Sequence, residues 1–276
     1  MERDLTEEEI TRYERDGVIH LKQAVEQAWV ERMNKVVDAQ LDAPSAWAND
    51  ANPGANSDRM FTDRYQWRDN PEIKAFVFES GVARLAGQAM RSRRVRFYFD
   101  HILVKQPDTN TPTPWHQDVP YWPFLGKQIC SVWLALNDVS VAQSAMEFIR
   151  GSHADGRYYL PKLFGARENH PNAWIQSGEG EPVPPIEDKR DDFDIVGWNM
   201  EAGDVVLFSA WILHGAPGNS SSSQRRAAIS TRWLGDDAVW HPHQGADPTV
   251  TEKDVCIRPG QYPSDDDVFP LVWHND

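Results

Sequence analysis

His116 and Asp118 stand two residues apart in Trp115-His116-Gln117-Asp118-Val119-Pro120-Tyr121-Trp122. A neutral imidazole and a carboxylate both ligate first-row metal ions, and on an extended strand the side chains of residues i and i+2 leave the same face. Both groups would then reach one ion while Gln117 points away. They would be two of the three ligands of a 2-His-1-carboxylate site, a donor set that leaves positions open on ferrous iron. The spacing alone decides nothing. His153-Ala154-Asp155 and His274-Asn275-Asp276 repeat it, and nine histidines in an acidic chain make such matches ordinary.

Surroundings separate the three. His116 follows a Pro/Thr/Asn loop at 108–114 and lies among Trp115, Tyr121, Trp122 and Phe124, as a ligand at the mouth of an aromatic-lined barrel would. His153 sits in Gly-Ser-His-Ala-Asp-Gly, a turn composition that leaves Asp155 to solvent. The pair at 274 and 276 falls at the chain's end and is discounted. A third ligand must come from elsewhere. His214, after Trp211-Ile212-Leu213 and before Gly215, is placed at a strand end, where it either faces a cavity or is a hydrogen-bonded core residue. His241-Pro242-His243 has a zinc-like look, but its Pro and the flanking Asp and Gly read as a surface loop. A Ser-His-Asp nucleophile using Ser209 or Ser152 lacks any Gly-x-Ser-x-Gly elbow.

The elements that must position these residues follow from periodicity. Thr6-x-x-Glu9 is a capping box opening a helix to about Asp16, stopped by Gly17. Residues 18–21 are a short strand. Val25, Trp29, Met33, Val36, Val37 and Leu41 mark a second helix, residues 44–58 a loop, and Pro71 and Val82 begin two more helices. Residues 1–90 are therefore expected to be mostly helical. From 94 to 106 the pattern alternates, with Val95, Phe97, Phe99, His101 and Leu103 assigned to one face. Further strands are expected at 128–137 (with Trp133), 145–149, 195–198, 205–209, 211–214 and 226–233. Residues 154–193 read as a polar insertion and 235–276 as a tail that packs back in part. Helices followed by about eight short strands predict a mainly β fold, an antiparallel β-barrel or a jelly roll (a double-stranded β-helix or cupin-like barrel) with N-terminal helices packed outside. One domain over 1–276, with its core at 94–234, accommodates all of this. No βαβ alternation or Gly-rich loop supports a dinucleotide fold.

With 276 residues, 40% hydrophobic and 11% aromatic, the chain has ample material for a core. A net charge of −14 argues against nucleic acid and, more weakly, against anionic membranes. No run approaches the ~18 apolar residues of a spanning helix. The first residues lack the pattern of a signal peptide, and Cys130 and Cys256 have no metal-ligand spacing, so a cytoplasmic protein with free thiols is the expectation. Arg91, Arg93, Arg94 and Arg96 could bind a substrate carboxylate or phosphate, but on such an acidic chain they are expected to be solvated and salt-bridged.

At this point the residues resemble the phytanoyl-CoA dioxygenase family. The resemblance rests on Trp115-His116-Gln117-Asp118 with Tyr121-Trp122-Pro123-Phe124, on Ile102-Leu103-Val104-Lys105, and on Gly151-Ser152-His153. It continues through Gly203-Asp204-Val205, His214-Gly215 and Arg226-Ala227-Ala228-Ile229-Ser230, over roughly residues 5 to 235. What it implies is that His116, Asp118 and His214 ligate Fe(II) and that Arg226 binds the distal carboxylate of 2-oxoglutarate. Arg225 would face away by strand alternation. Trp133 and His101 would line the co-substrate pocket. Such sites couple decarboxylation of 2-oxoglutarate by O₂, giving succinate and CO₂, to hydroxylation of an unactivated C–H bond. Related halogenases have a small residue where this chain has Asp118, so a carboxylate there implies hydroxylation, or a variant such as desaturation. Aromatics near the motif suggest an apolar or ring-bearing small-molecule substrate. Two other readings remain: a cupin-like metal enzyme without 2-oxoglutarate (a hydrolase or isomerase), or a catalytically silent binding protein on the same scaffold.

Overall fold

The computed structural model describes residues 3–162 and 179–275. Its helices are α1 (Glu7–Asp16), α2 (Gln27–Asp42), α3 (Pro71–Glu79) and α4 (Val82–Ala89). The strands are β1 (Val18–Leu21), β2 (Asn49–Ala51), β3 (Met60–Arg64), β4 (Arg94–Lys105), β5 (Thr113–His116), β6 (Phe124–Leu125) and β7 (Ile129–Ala135). They continue with β8 (Glu147–Ile149), β9 (Ile195–Gly197), β10 (Val205–Ser209), β11 (His214–Ala216), β12 (Arg226–Leu234), β13 (Val239–Trp240) and β14 (Leu271–His274). A large antiparallel sheet has the order β1-β10-β7-β12-β4-β3-β2, with β14 also paired to β4; a second runs β5-β11-β8-β9. Two facing sheets of this kind make the expected jelly roll.

The helices clad the outer face of the large sheet. In α1, Thr6 accepts from the Glu9 amide and the Glu9 side chain accepts from the Thr6 amide, while Gly17 closes the helix at φ 76°. Val30, Met33, Val36 and Val37 of α2 are buried at helical spacing. Together with alternate sheet residues such as Val132, Leu207 and Ile229 they form one apolar cluster. Each such side chain contributes roughly 1.5–3 kcal/mol by leaving water. Between the sheets lie Trp133, Phe148, Phe208 and Ala228. Among the described residues no helix is long and apolar enough to cross a membrane.

Four expectations are corrected. The loop expected at 44–58 contains β2, which pairs with β3, itself paired to β4 from Met60↔Lys105 to Arg64↔His101. Such short strands owe their existence to distant partners and carry little periodicity of their own. Residues 94–106 do not keep one face. Thr231 pairs with Asp100 but Trp233 with Phe97, so three steps of β4 oppose two of β12, and a bulge exchanges the faces. Val95 and Phe97 thereby join Ile102 and Val104 beneath the helices, whereas Phe99, His101 and Leu103 border the interior pocket. The strand expected at 211–214 begins instead at His214 and runs to Ala216. The tail packs back further than expected, with Trp240 and Phe269 fully buried and β14 joined to the sheet. Of the segment expected to be an insertion, 163–178 lie outside the described residues, as does Asp276; Tyr159, Val183 and Ile186 are buried against the barrel.

Candidate metal centre

β5 and β11 pair so that His116 and His214 are direct partners in the ladder. Their rings are 4.1 Å apart, centroid to centroid. Each Nδ1–H donates to a backbone carbonyl two residues earlier, His116 to Pro114 at 2.8 Å and His214 to Ile212 at 3.0 Å. Those bonds fix the tautomer that leaves both Nε2 atoms as acceptors. Asp118 meets them by a route other than strand alternation. β5 ends at His116, and Asp118 is helical in backbone (φ −77°, ψ −39°), opening the 3₁₀ turn Val119–Tyr121. Its amide donates to Ala210, and Ser131 Oγ donates to its Oδ2 at 2.8 Å. Oδ1 then lies 3.6 Å from His116 Nε2 and 3.9 Å from His214 Nε2. Gln117 is turned away as expected, its amide bridging Arg157, Trp211 and Tyr159 backbone.

The three donor atoms lie within 4.8 Å of one another, all on buried residues. Burial alone would raise the Asp118 carboxyl, but His116, His214 and Arg232 outweigh it and hold it well below the usual carboxylate range. Burial, then the neighbouring His116, push His214 down to about 3. An ionised carboxylate and imidazoles with oriented lone pairs are a donor set that fits a divalent first-row metal.

The cluster opens into a cleft between the sheets that Trp133, Met146 and Phe208 also line. Arg226, 5% exposed, lines it, its guanidinium 5.8 Å from the Trp133 ring. Arg225 faces outward to Asp38 at 2.5 Å and Asn34 at 3.2 Å, as strand alternation required. Trp133 and His101 line the same cleft. Burial, with the charges of Arg232 and Arg64, keeps His101 neutral, far below its ordinary value.

The discounted histidines stay apart. His153 Nε2 faces the Glu14 carbonyl at 3.1 Å, and His243 Nε2 faces that of Trp122 at 3.1 Å. Ser152 donates to the Ile149 carbonyl and Ser209 accepts from the Trp211 amide, so neither is paired with a histidine base. In the arginine cluster Arg91 pairs with Glu7 and Glu14, Arg94 with Asp236 and Arg96 with Asp266, but Arg96 is buried and not solvated as expected.

Sequence reasoning missed several pocket residues. Lys105 is opposite Arg226 in the ladder, 1% exposed, and donates to the Pro217 carbonyl at 2.6 Å. Burial and then Arg226 push its ammonium down to about 6. Arg64 and Asp247 form an ion pair at 3.1 Å and border the cleft from β3 and the tail. Arg232 also lines it. Its parity with Arg226 on β12 was the available signal.

Residues 13–227 match the family model "Phytanoyl-CoA dioxygenase (PhyH)". A probable phytanoyl-CoA dioxygenase of Caenorhabditis elegans is 22% identical over 241 residues, 82% of this chain and 74% of that protein. The peroxisomal phytanoyl-CoA dioxygenase of Homo sapiens is 22% identical over 205 residues, and the chain spans only 57% of its length. Among solved structures, the non-heme alpha ketoglutarate dependent carbocyclase SnoK from nogalamycin biosynthesis superposes with a TM-score of 0.72 at 21% identity, covering 98% of this chain and 97% of that one. The epimerase SnoN in complex with Fe3+, alpha ketoglutarate and nogalamycin RO gives 0.71 at 23%, covering 97% and 98%. These likenesses bear out the jelly-roll fold, and the match over residues 13–227 places this chain in the phytanoyl-CoA dioxygenase family.

Proposed function

We propose that this chain is an Fe(II)- and 2-oxoglutarate-dependent oxygenase that hydroxylates an unactivated C–H bond of a small, apolar or ring-bearing molecule, acting as one domain in the cytoplasm. The observation that carries the reading is the His116, Asp118 and His214 cluster opening into the same cleft as Arg226. Bound iron with 2-oxoglutarate and O₂ supplies the oxidising chemistry, releasing succinate and CO₂.

Each role of the chain follows from placement. His116, Asp118 and His214, which border the cleft, would hold the metal. The two Nδ1–H bonds and the Ser131 hydroxyl keep those ligands in orientation. Arg226 offers a planar fork to the distal carboxylate, and the Lys105 amine adds a second N–H donor beside it. Trp133, Met146 and Phe208 wall the cleft with apolar surface that excludes water. Asp118 fills the position a halide would need, which favours hydroxylation over halogenation.

The test is turnover. Protein supplied with Fe(II), 2-oxoglutarate and O₂ should form succinate above a metal-free control, faster when a substrate from a panel of ring-bearing small molecules is added. A folded protein that forms none under any of these conditions contradicts the proposal.

A further inference from the structure

A second arginine is sealed against the same cleft. β12 alternates cleanly: Ala227, Ile229 and Trp233 pack beneath the helices, while Arg226, Ser230 and Arg232 border the cleft. Six residues of strand, about 20 Å of backbone rise, separate Arg226 from Arg232. Arg232 lies towards the metal cluster, near enough for its charge to act on Asp118, His214 and His101. Its guanidinium sits 5.0 Å from the Phe99 ring and 5.7 Å from the Trp122 ring. The residue is 6% exposed, and its Nε and Nη1 have no hydrogen-bond partner among the described residues.

The nearby carboxylates are occupied elsewhere. Asp118 Oδ2 accepts from Ser131, and Asp100 accepts from the Gln66 and Trp67 amides. Two other buried arginines have their anion, Arg59 with Asp50 at 2.7 Å and Arg96 with Asp266 at 2.6 Å, whereas Arg226 faces the end of the cleft assigned above to the co-substrate. A buried guanidinium left without one is costly unless a ligand completes it.

We propose that Arg232 binds a carboxylate of the substrate, which is therefore a small organic acid with an apolar or ring-bearing body. This rests on the oxygenase reading above. A single guanidinium, with the charges of Asp118 and Asp100 already acting on it, suits a monoanion better than a phosphate dianion. Phe99 and Trp122 hold the fork in place and offer ring faces to the body of the molecule. Arg226 and Lys105, at the other end of β12, remain for 2-oxoglutarate.

The experiment uses protein loaded anaerobically with Fe(II) and saturating 2-oxoglutarate. Small aromatic and alicyclic monocarboxylic acids are titrated calorimetrically beside their primary carboxamides. At least one acid should bind tenfold or more tightly than its amide. Arg232→Gln should weaken that acid at least tenfold and leave its amide within about twofold, and Arg232→Lys should retain part of the preference. The visible absorption of the Fe(II)·2-oxoglutarate chelate in each variant reports that the fold and co-substrate arm are intact. No preference for any acid in the wild type, or a preference that survives Arg232→Gln, overturns the proposal. So does loss of the chelate absorption in a folded Arg232→Gln, which would give Arg232 to 2-oxoglutarate. Absence of that absorption in the wild type would instead defeat the oxygenase reading, and the acid-against-amide comparison on the metal-free protein would still decide the role of Arg232.

Discussion

His116-Gln117-Asp118 and His153-Ala154-Asp155 have the same spacing and opposite fates. The first pair is buried at the end of β5, where the ladder to β11 brings His214 alongside. The second sits on a 3₁₀ turn, with His153 against the Glu14 carbonyl and Asp155 accepting from the Arg157 amide at 2.9 Å. Arg226 and Arg225 repeat the contrast one residue apart, one lining the cleft and the other paired with Asp38 on the surface. Spacing supplies a candidate; burial and a partner from a distant strand supply the site.

Breaking the buried member of each pair should matter and breaking the exposed member should not. The largest effect is expected from Asp118→Ala: Fe(II) affinity and 2-oxoglutarate turnover should fall by more than about 100-fold, measured by metal titration and succinate formation, because a ligand is lost outright. Asp155→Ala should stay within about twofold of wild type. Next, Arg226→Ala should raise the KM for 2-oxoglutarate about 10- to 100-fold, the equivalent of a charge-assisted hydrogen bond worth about 1.5–3 kcal/mol, while Arg225→Ala changes it little. Ser131→Ala should weaken Fe(II) binding about 10-fold, since the Asp118 carboxylate loses the donor that orients it.

The smallest expected effect is on stability, at Lys105. Its pKa is 10.5 as a free side chain and about 6 when folded, so between those values the unfolded chain holds more protons. Stability from this group is full above pH 10.5 and is lost as pH falls towards 6. Lys105→Met should therefore gain on wild type by about 1 kcal/mol or more at pH 6, and the gap should close towards pH 10 in urea titrations. A gap independent of pH would show that Lys105 is not held in its neutral form.

Much of the scaffold was legible because its signals are local. The capping box at Thr6 and Glu9, the amphipathic α2 and the continuous apolar pattern of β7 each state their element within a few residues. What escaped is non-local. The bulge in β4 leaves no mark in the alternation of its own residues, yet it decides that Phe99 and His101, not Val95 and Phe97, border the cleft. β2 exists through pairing with β3, and β3 through pairing with β4; the stretch holding β2 reads alone as loop. Asp247 reaches Arg64 from a Pro-rich tail nearly two hundred residues later, beyond any spacing rule. Even His116 and Asp118 were brought together by a turn and not by the strand geometry first invoked for them.

The central claim, that His116, Asp118 and His214 hold one iron to which 2-oxoglutarate chelates, has a direct test. Anaerobic addition of Fe(II) and then 2-oxoglutarate to wild type should produce the weak visible charge-transfer band of the chelate at one equivalent of metal. Asp155→Ala should keep the band and Asp118→Ala should lose it. A folded wild-type protein without the band, or an Asp118→Ala variant that retains it in full, would contradict the account.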